Sequence, residues 1–382
     1  MQERFIDTPE QMDRLADELT GVPWLVVDTE FLRDRTYYPQ LCLIQMATDE
    51  LAVCIDPLAL ENLAPLHKLL YDDRTTKVFH AGRQDLEIFL HLWNELPENL
   101  FDTQPAAALL GLGDQVGYGT LIQKLLGVNL AKDHARTDWS RRPLNQAQVR
   151  YALDDVIYLA QAYPALRRRL EALGRLDWLR PEFEALADPA TYTLTDYDQW
   201  RRVKGWQRLD GPRLAALQHL AAWRERQARA ADRPRRWVVK DDVLVEVARR
   251  MPRRMAELRR IRGLDGHLIQ QHGPALLEAV ATARTLPETE WPRPPVRPRP
   301  LTVEEEATLD ILAGALRLLA EGAGLSPQAV ASRKDLTALL RGDSGCALLQ
   351  GWRRQLAGEP LLQLLRGERR LVIENGSPRL EG

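Results

Sequence analysis

The short apolar segments that predict β-strands are confined to the first 102 residues of this 382-residue chain. They are bounded by turn residues and fall at residues 24–28, 41–47, 51–55, 77–80 and 99–102. Helical spacing separates or follows them at 58–71, 83–93, 103–110, 118–126 and 145–170. Three strands in succession, then alternating helices and strands, predict an α/β domain built on a mixed five-stranded sheet with helices.

Beyond about residue 200 the pattern predicts helices only. Short helical segments are expected at 211–230, 240–250, 252–261 and 273–284. The proline-dense stretch 291–300 predicts an extended linker, and residues 302–375 are again helical in pattern. We therefore expect a first domain at 1–170, a helical connector at 171–208, a small all-α bundle at 209–290, a linker at 291–300 and a second, diverged bundle at 301–382.

The net charge of −2 hides a strong asymmetry along the chain. Residues 1–200 contain 19 Lys and Arg against 32 Asp and Glu, whereas residues 201–300 contain 23 against 11. Basic surfaces attract phosphate backbones, and acidic surfaces repel them unless the acids hold cations. An acidic module joined to a basic one favours a nucleic-acid partner, although arginine-rich helices also occur simply as solvated faces.

Composition excludes several classes of protein. The three cysteines, Cys42, Cys54 and Cys346, are far apart and offer neither a disulfide framework nor a CxxC zinc pair, so a cytoplasmic setting is expected. The first 19 residues are polar and acidic, unlike a signal peptide. No apolar run reaches the length of about 20 residues that spans a membrane.

Acidic residues fall at the ends of predicted elements in the first domain. Asp28 and Glu30 end the first predicted strand, where residues two apart share a face. Asp85 begins the helix after the fourth strand, and Tyr151 and Asp155 share one face of the last helix. Each alone has an ordinary structural explanation, such as a charge at a helix N-terminus.

Together these residues indicate a metal site. Several carboxylates at one place repel each other and need a cation, and oxygen ligands without a Cys or His cluster favour Mg²⁺ or Mn²⁺. Two such ions suit an in-line attack of water on a phosphodiester, and a tyrosine near that water can orient it.

The same residues resemble the exonuclease motifs of the tyrosine subtype of the DEDD superfamily. The amino-acid sequence around them is similar to that of bacterial ribonuclease D over about residues 20–160. The similar segments are Asp-Thr-Glu-Phe at 28–31, Leu-Ile-Gln at 43–45, His-Ala-Gly-Arg-Gln-Asp at 80–85, Phe-Asp-Thr-Gln at 101–104 and Asp-Trp-Ser-Arg-Arg-Pro-Leu at 138–144. The helical segments at about 210–290 and 302–375 are similar to HRDC domains. The first of these carries the recognisable Leu-Arg-Arg-Ile-Arg-Gly at 258–263, and the second rests on position and helical pattern.

The resemblance implies a ribonuclease H-like fold and a 3′→5′ exoribonuclease that uses two Mg²⁺ or Mn²⁺ ions. It would trim the 3′ ends of tRNA precursors and other small structured RNAs and release nucleoside 5′-monophosphates. Asp28, Glu30, Asp85 and Asp155 would be the metal ligands, with Asp28 as the bridge and Asp85 acting directly or through water. Tyr151 would orient the attacking water.

Further residues are candidates for contact with RNA, each with a packing role as the alternative. Aromatic rings can stack on bases and arginines can bind phosphates. The candidates are Phe31, Trp139, Arg141, Arg142, Arg235, Arg236, Trp237 and Lys240, with a basic loop of Lys132, His134 and Arg136 beside them.

Two other functions remain possible from the residues alone. A DNA 3′→5′ exonuclease of repair type would use the same metal chemistry, because cleavage does not involve the 2′-hydroxyl. A catalytically inactive RNA-binding adaptor would normally lack one or more of the carboxylates, and all four are present. The sequence indicates no obligate protein partner.

Overall fold

The protein is described by a computed structural model that covers residues 1–130, 137–294 and 299–382. Its chain forms two compact units, each described here by itself. The first comprises Met1–Glu30, Cys42–Asp188 and Arg299–Gly382, and the second comprises Phe31–Leu41 and Pro189–Pro298. The predicted basic loop of Lys132, His134 and Arg136 lies outside the described residues.

A six-stranded sheet organises the first unit. Its strands are β1 (Gln2–Ile6), β2 (Trp24–Leu32), β3 (Gln40–Ala47), β4 (Leu51–Ile55), β5 (Thr76–Phe79) and β6 (Leu100–Asp102). The order across the sheet is β1-β4-β3-β2-β5-β6. Strands β3 and β4 are antiparallel, and the pairs β1–β4, β2–β5 and β5–β6 are parallel, so the sheet is mixed as expected.

The predicted count of five strands is corrected to six, because β1 adds an edge strand. Its sequence, QERFI, has no apolar run, and only Ile6 is buried. Strand β1 pairs with β4 from Gln2 opposite Leu51 to Ile6 opposite Ile55. An edge strand with solvent on most of its length lacks the period-two apolar pattern that identifies a strand in sequence.

Helices cover the sheet. They are α1 (Pro9–Leu19), α2 (Ala64–Leu70), α3 (Arg83–Trp93), α4 (Thr103–Ala108), α5 (Tyr118–Leu126), α6 (Gln146–Ala172) and α7 (Arg180–Ala187), with a 3₁₀ turn at Leu176–Leu179. Helix α6 begins where the side chain of Asn145 caps the backbone of Gln148 and Gln148 caps Asn145 in return. This fixed start sets which α6 residues face the sheet.

The second unit is helical, as expected. It contains α8 (Gly211–Ala230), α9 (Arg235–Val238), α10 (Asp241–Arg250), α11 (Met255–Leu258) and α12 (Gly266–Thr285), with 3₁₀ turns at Pro189–Thr191, Asp196–Arg202, Trp206–Arg208 and Glu288–Glu290. Leu214, Leu217 and Leu220 of α8 lie in its buried core. Helix α12 begins seven residues before the predicted start at 273, because Asp265 caps the backbone of Leu268 and Pro274 is accommodated inside the helix.

The C-terminal segment contains helices and a β-hairpin. The helices are α13 (Val303–Gly322), α14 (Pro327–Val330), α15 (Arg333–Leu340), α16 (Gly351–Arg353) and α17 (Glu359–Leu365), with a 3₁₀ turn at Ala347–Leu349 and a π-turn at Arg354–Gly358. The expectation of helices alone missed β7 (Arg370–Glu374) and β8 (Ser377–Glu381). The Asn375-Gly376 pair between them is a hairpin turn signal, and both residues have positive φ.

The C-terminal segment packs with the part of the same unit around Trp178 and Glu182. The rings of Trp178 and Trp352 stack with centroids 4.7 Å apart. Arg175 lies over the Trp178 ring and Arg353 over the Trp352 ring. Arg353 also pairs with Glu182 at 3.0 Å. Among the described residues, no helix is long and apolar enough to cross a membrane.

Candidate active site

The structure brings three of the predicted acidic residues together. One carboxylate oxygen each of Asp28, Glu30 and Asp155 lies within 4.8 Å of the others, in a group that could hold a metal ion. Asp28 and Glu30 are two residues apart on β2 and therefore share a face, and Asp155 is presented by α6. All three residues are half-buried.

Asp85 is the fourth acid, and it lies beside this cluster rather than within it. It sits in the first turn of α3 and is 7% exposed. Thr29, between the two acids of β2, donates its hydroxyl to Asp85 Oδ1. The charge of Asp85 raises the pKa of both Asp28 and Glu30, so the four carboxylates form one electrostatic system.

Asp102 fixes the turn that presents Asp85. Its carboxylate accepts the backbone N–H groups of Ala81 (2.9 Å), Gly82 (3.0 Å) and Gln104 (2.8 Å). Ala81 has a φ of 57°, which is uncommon for a residue with a side chain. A Cβ on Gly82 would lie 2.5 Å from that of Phe79, so the turn needs glycine there. Asp102 is thus a positioning residue for α3.

Tyr151 lies one turn before Asp155 on α6, on the same side of the helix. The Tyr151 hydroxyl hydrogen-bonds the Asp155 side chain, and this bond opposes the rise in the pKa of that carboxyl. The ring of Trp139 lies 6.1 Å from the ring of Tyr151. Tyr118, which the sequence does not single out, donates its hydroxyl to the backbone carbonyl of Asp154 at 2.7 Å and holds α5 against this part of α6.

The four carboxylates hold protons more tightly than ordinary acids. Burial raises the pKa of Glu30 to about 8, of Asp155 to about 7 and of Asp85 to about 6. Burial also raises the pKa of Asp28 well above its usual range, and the charges of Asp85, Asp155 and Glu30 add to that rise. Without a cation the cluster is electrostatically unfavourable in its charged form.

The candidates for RNA contact near the site are partly engaged in packing. Trp139 is buried, at 2% exposure. Arg142 forms a bidentate pair with the buried Asp56 and donates to the carbonyl oxygen of Cys42 at 2.7 Å. Arg141 is largely exposed and pairs with Asp138 at 3.1 Å. Of these three, Arg141 has the surface that a phosphate contact requires, while the role of all three in RNA binding stays a prediction.

The second unit contains the other candidates. Arg235 pairs with Glu225, which is 1% exposed, and lies over the ring of Tyr37 at 4.8 Å from its centroid. Arg236 and Lys240 are exposed, and Trp237 is 62% exposed. Phe31 is half-buried. The free surface therefore lies at Arg236, Trp237 and Lys240, whereas Arg235 stabilises the fold.

The sequence resembles known protein families in both units. Residues 4–171 match the family model for a 3′-5′ exonuclease, and residues 213–280 match the model for an HRDC domain. The chain is 42% identical over 379 residues to ribonuclease D of Gluconacetobacter diazotrophicus, which covers 97% of this chain and 94% of that protein. It is 41% identical over 371 residues to ribonuclease D of Acidiphilium cryptum, with 95% and 93% covered.

The chain belongs to the ribonuclease D family. The crystal structure of Escherichia coli RNase D, described as an exoribonuclease involved in structured RNA processing, matches with a TM-score of 0.83 and 35% identity. The match covers 96% of this chain and 99% of that one. This ribonuclease D family member is thus a 3′→5′ exoribonuclease with the predicted fold class, and a DNA exonuclease of repair type is not favoured.

Family membership also confirms two coarser predictions. The 3′-5′ exonuclease family of the first domain depends on metal ions, and the structure has an acidic cluster suited to one. The HRDC match and the ribonuclease D relatives support RNA as the partner.

Proposed function

We propose that this ribonuclease D family member trims the 3′ ends of tRNA precursors and other small structured RNAs and releases nucleoside 5′-monophosphates. Asp28, Glu30, Asp85 and Asp155 hold the metal, and Tyr151 orients the attacking water. The observation that carries this proposal is the convergence of three carboxylates from β2 and α6 beside Tyr151.

The residues present fit a pair of Mg²⁺ or Mn²⁺ ions. The cluster offers only carboxylate oxygens, which are hard ligands. Burial and the neighbouring carboxylates raise the pKa of Asp28, Glu30 and Asp155, and a divalent cation would favour the charged forms of these acids. When bound, such ions would supply an activated water and neutralise charge on the phosphate and the leaving 3′ oxygen. Asp28 is the proposed bridging ligand, and the burial of Asp85 suits contact through water.

Tyr151 acts through its hydroxyl as a hydrogen-bonding group. Burial and the charges of Asp155, Glu30 and Asp28 all raise the pKa of Tyr151. These effects favour the protonated phenol, which can form hydrogen bonds through its hydroxyl. Its bond to Asp155 fixes its direction, so it can hold a water in line with the scissile phosphate.

The exposed cations of the second unit are the proposed contacts for the body of a folded RNA. Arg236 and Lys240 are exposed and have no ion-pair partner in the part of the chain that the structure describes. Trp237 between them offers a ring for stacking. Phosphate contacts of this kind position a substrate without reading its sequence, which suits a set of differently sequenced structured RNAs.

The domain limits remain our proposal. We place the exonuclease domain at 1–170, a connector at 171–208, the first HRDC domain at 209–290, a linker at 291–300 and a second HRDC-like domain at 301–382. The enzyme is proposed to work in the cytoplasm without an obligate protein partner. Its three cysteines are buried and form no disulfide in the described part of the chain, as suits a reducing compartment.

The substrate class can be tested with two 5′-labelled oligonucleotides of matched sequence, one RNA and one DNA. With Mg²⁺ or Mn²⁺ we expect the RNA to shorten stepwise from its 3′ end, and with chelator we expect no cleavage. Equal or faster trimming of the DNA would contradict the proposal and favour a DNA 3′→5′ exonuclease of repair type. Binding of RNA without cleavage of either strand would support the adaptor function instead.

A further inference from the structure

Gln45 is a buried polar side chain without a partner. It lies in the middle of β3 and is 0% exposed. Among the described residues, neither its Nε2 nor its Oε1 has a hydrogen-bond partner. Burying an amide without its hydrogen bonds costs about 1–3 kcal/mol for each unsatisfied group. A glutamine at this position therefore needs a reason beyond packing.

The strand pairing places Gln45 on the face of the sheet that carries the acidic cluster. Gln45 is paired directly with Cys54 of the antiparallel strand β4, and residues paired in this way point to the same face. Glu3 of β1 is paired with Ala52 of β4 and accepts a hydrogen bond from Arg150 of α6 at 2.8 Å, so Ala52 and Cys54 lie on the face that α6 covers. Glu30 shares this face, because its cluster includes Asp155 of α6.

The strand order then puts Gln45 next to β2. Strand β3 lies between β4 and β2 in the sheet. A side chain on β3 that shares a face with Cys54 of β4 and Glu30 of β2 lies on the same side of the sheet as the Asp28 and Glu30 pair, one strand away. Its neighbours along β3, Ile44 and Met46, point to the opposite face because side chains alternate along a strand.

Ligating carboxylates are usually held by hydrogen bonds from a second layer of residues, which fix their orientation. Thr29 supplies such a bond to Asp85. An amide has two donor hydrogens, which a carboxylate accepts, and a carbonyl oxygen that can accept from a water.

We propose that Gln45 is a positioning residue of the metal site. When a divalent cation holds Asp28 and Glu30, the Gln45 amide donates to a carboxylate oxygen of this pair, directly or through one water. This hydrogen bond would satisfy an amide that has no partner among the described residues. This inference rests on the proposed metal-binding role of the two acids.

The test measures binding of Mn²⁺ alone by isothermal titration calorimetry, on the full chain. Gln45→Met keeps the length of the side chain and removes both polar atoms. We expect its affinity for Mn²⁺ to fall by about 10- to 100-fold, as for other residues that support metal ligands. We also expect its metal-free melting temperature to stay equal to or rise above that of the wild type, because a desolvated amide has been removed.

Met46→Leu is the matched control, since it changes a buried side chain of similar size on the opposite face of the same strand. Its Mn²⁺ affinity should equal that of the wild type. If Gln45→Met also binds Mn²⁺ within twofold of the wild type, Gln45 has no positioning role and the inference is overturned, while the proposed function stands. If the wild type itself binds no Mn²⁺, the proposed function falls and this inference with it.

Gln45→Asn covers the case in which Gln45→Met does not fold. It keeps the amide but withdraws it by one methylene group. An Mn²⁺ affinity of Gln45→Asn that lies between the wild-type value and the value expected for Gln45→Met supports the positioning role. An affinity equal to that of the wild type contradicts it.

Discussion

The five predicted catalytic residues owe their chemistry to burial as much as to their identity. Asp28, Glu30 and Asp155 are acids in a place where their charged forms are disfavoured, and Tyr151 is a phenol kept protonated. A site of this kind is prepared for a cation and is poorly satisfied without one.

Replacing Tyr151 by phenylalanine removes one hydroxyl from this site. We expect the rate of RNA trimming to fall by about 10²- to 10⁴-fold, the usual contribution of a group that orients or transfers a proton. Binding of Mn²⁺ should stay close to that of the wild type, because the carboxylates remain. Single-turnover kinetics and calorimetry measure the two quantities. Unchanged turnover in Tyr151→Phe would refute the water-orienting role.

The raised pKa values also predict how stability depends on pH. The folded, metal-free protein retains protons on Glu30, Asp155 and Asp85 up to about pH 8, 7 and 6, whereas the unfolded chain releases them near pH 4. The folded state therefore binds more protons, and its free energy of unfolding falls as the pH rises from about 5 to about 8.

This pH effect can be measured by thermal melting with chelator and with Mg²⁺. We expect the melting temperature with chelator to fall across that pH range and the stabilisation by Mg²⁺ to grow. Asp155→Asn should show a smaller dependence, because one of the titrating acids is absent. A stabilisation by Mg²⁺ that is the same at pH 5 and pH 8 would contradict the electrostatic description of the cluster.

The identity of the site residues could be predicted from sequence, but their supporting contacts could not. The sequence places the acids at the ends of predicted elements, and it places two pairs on shared faces: Asp28 and Glu30 on a strand, and Tyr151 and Asp155 on a helix. The bond from Thr29 to Asp85 joins residues 56 apart in the chain, and no local pattern marks it. Trp139 and Arg142 were candidates for RNA contact because the sequence does not show that Trp139 is buried or that Arg142 pairs with Asp56.

The turn before α3 determines where this helix presents Asp85. Helix α3 is held at its start by Asp102, whose carboxylate also caps α4. The orientation of Asp85 depends on this turn, so a residue that touches no substrate affects the site.

Asp102→Ala removes the acceptor for three backbone N–H groups. We expect a loss of stability of about 1–3 kcal/mol for each donor left buried and unpaired, and a lower trimming rate because Asp85 is no longer held. Urea denaturation and single-turnover kinetics measure these changes. Asp49→Ala, an exposed acid in the turn before β4, serves as the control and should leave both values unchanged. Wild-type rate and stability in Asp102→Ala would show that the turn is held by other contacts.

Helices were easier to predict than edge strands. The structure confirms α3, α5 and α8 at their predicted limits, because glycine, asparagine or proline marks an end of each helix. Strand β1 and the β7–β8 hairpin were missed. Both are largely exposed, and their sequences alternate weakly between apolar and polar residues.

The chain as a whole combines an acidic catalytic unit with a basic helical one. The division into units does not follow the sequence order. Residues Phe31–Leu41 belong to the helical unit, and Arg299–Gly382 belong to the catalytic one. In the helical unit, Tyr37 donates its hydroxyl to the buried Glu225, and Asp232 accepts the backbone N–H of Tyr37 at 3.0 Å. Such pairings between distant residues could not be predicted from one sequence, whereas the charge asymmetry could.

The exposed cations of the helical unit predict how RNA binding responds to mutation. Arg236→Ala combined with Lys240→Ala should weaken binding of a tRNA-like hairpin several-fold and reduce the salt dependence of binding. Binding of a short single strand should change less. The double variant Arg249→Ala and Arg250→Ala is the matched control, because both arginines are paired with Glu246. Equal losses in the two double variants would indicate a general charge effect rather than a defined RNA-binding surface.

The first product released from an RNA with a labelled 3′-terminal phosphodiester tests the proposed reaction most directly. Thin-layer chromatography separates nucleoside 5′-monophosphates, nucleoside 3′-monophosphates and short oligonucleotides. We predict that the label appears in a nucleoside 5′-monophosphate, only with Mg²⁺ or Mn²⁺, and not at all with Asp28→Asn or Asp155→Asn. Release of oligonucleotides or 3′-monophosphates, or activity that persists in chelator or in these variants, would contradict a metal-dependent 3′→5′ exoribonuclease built on this acidic cluster.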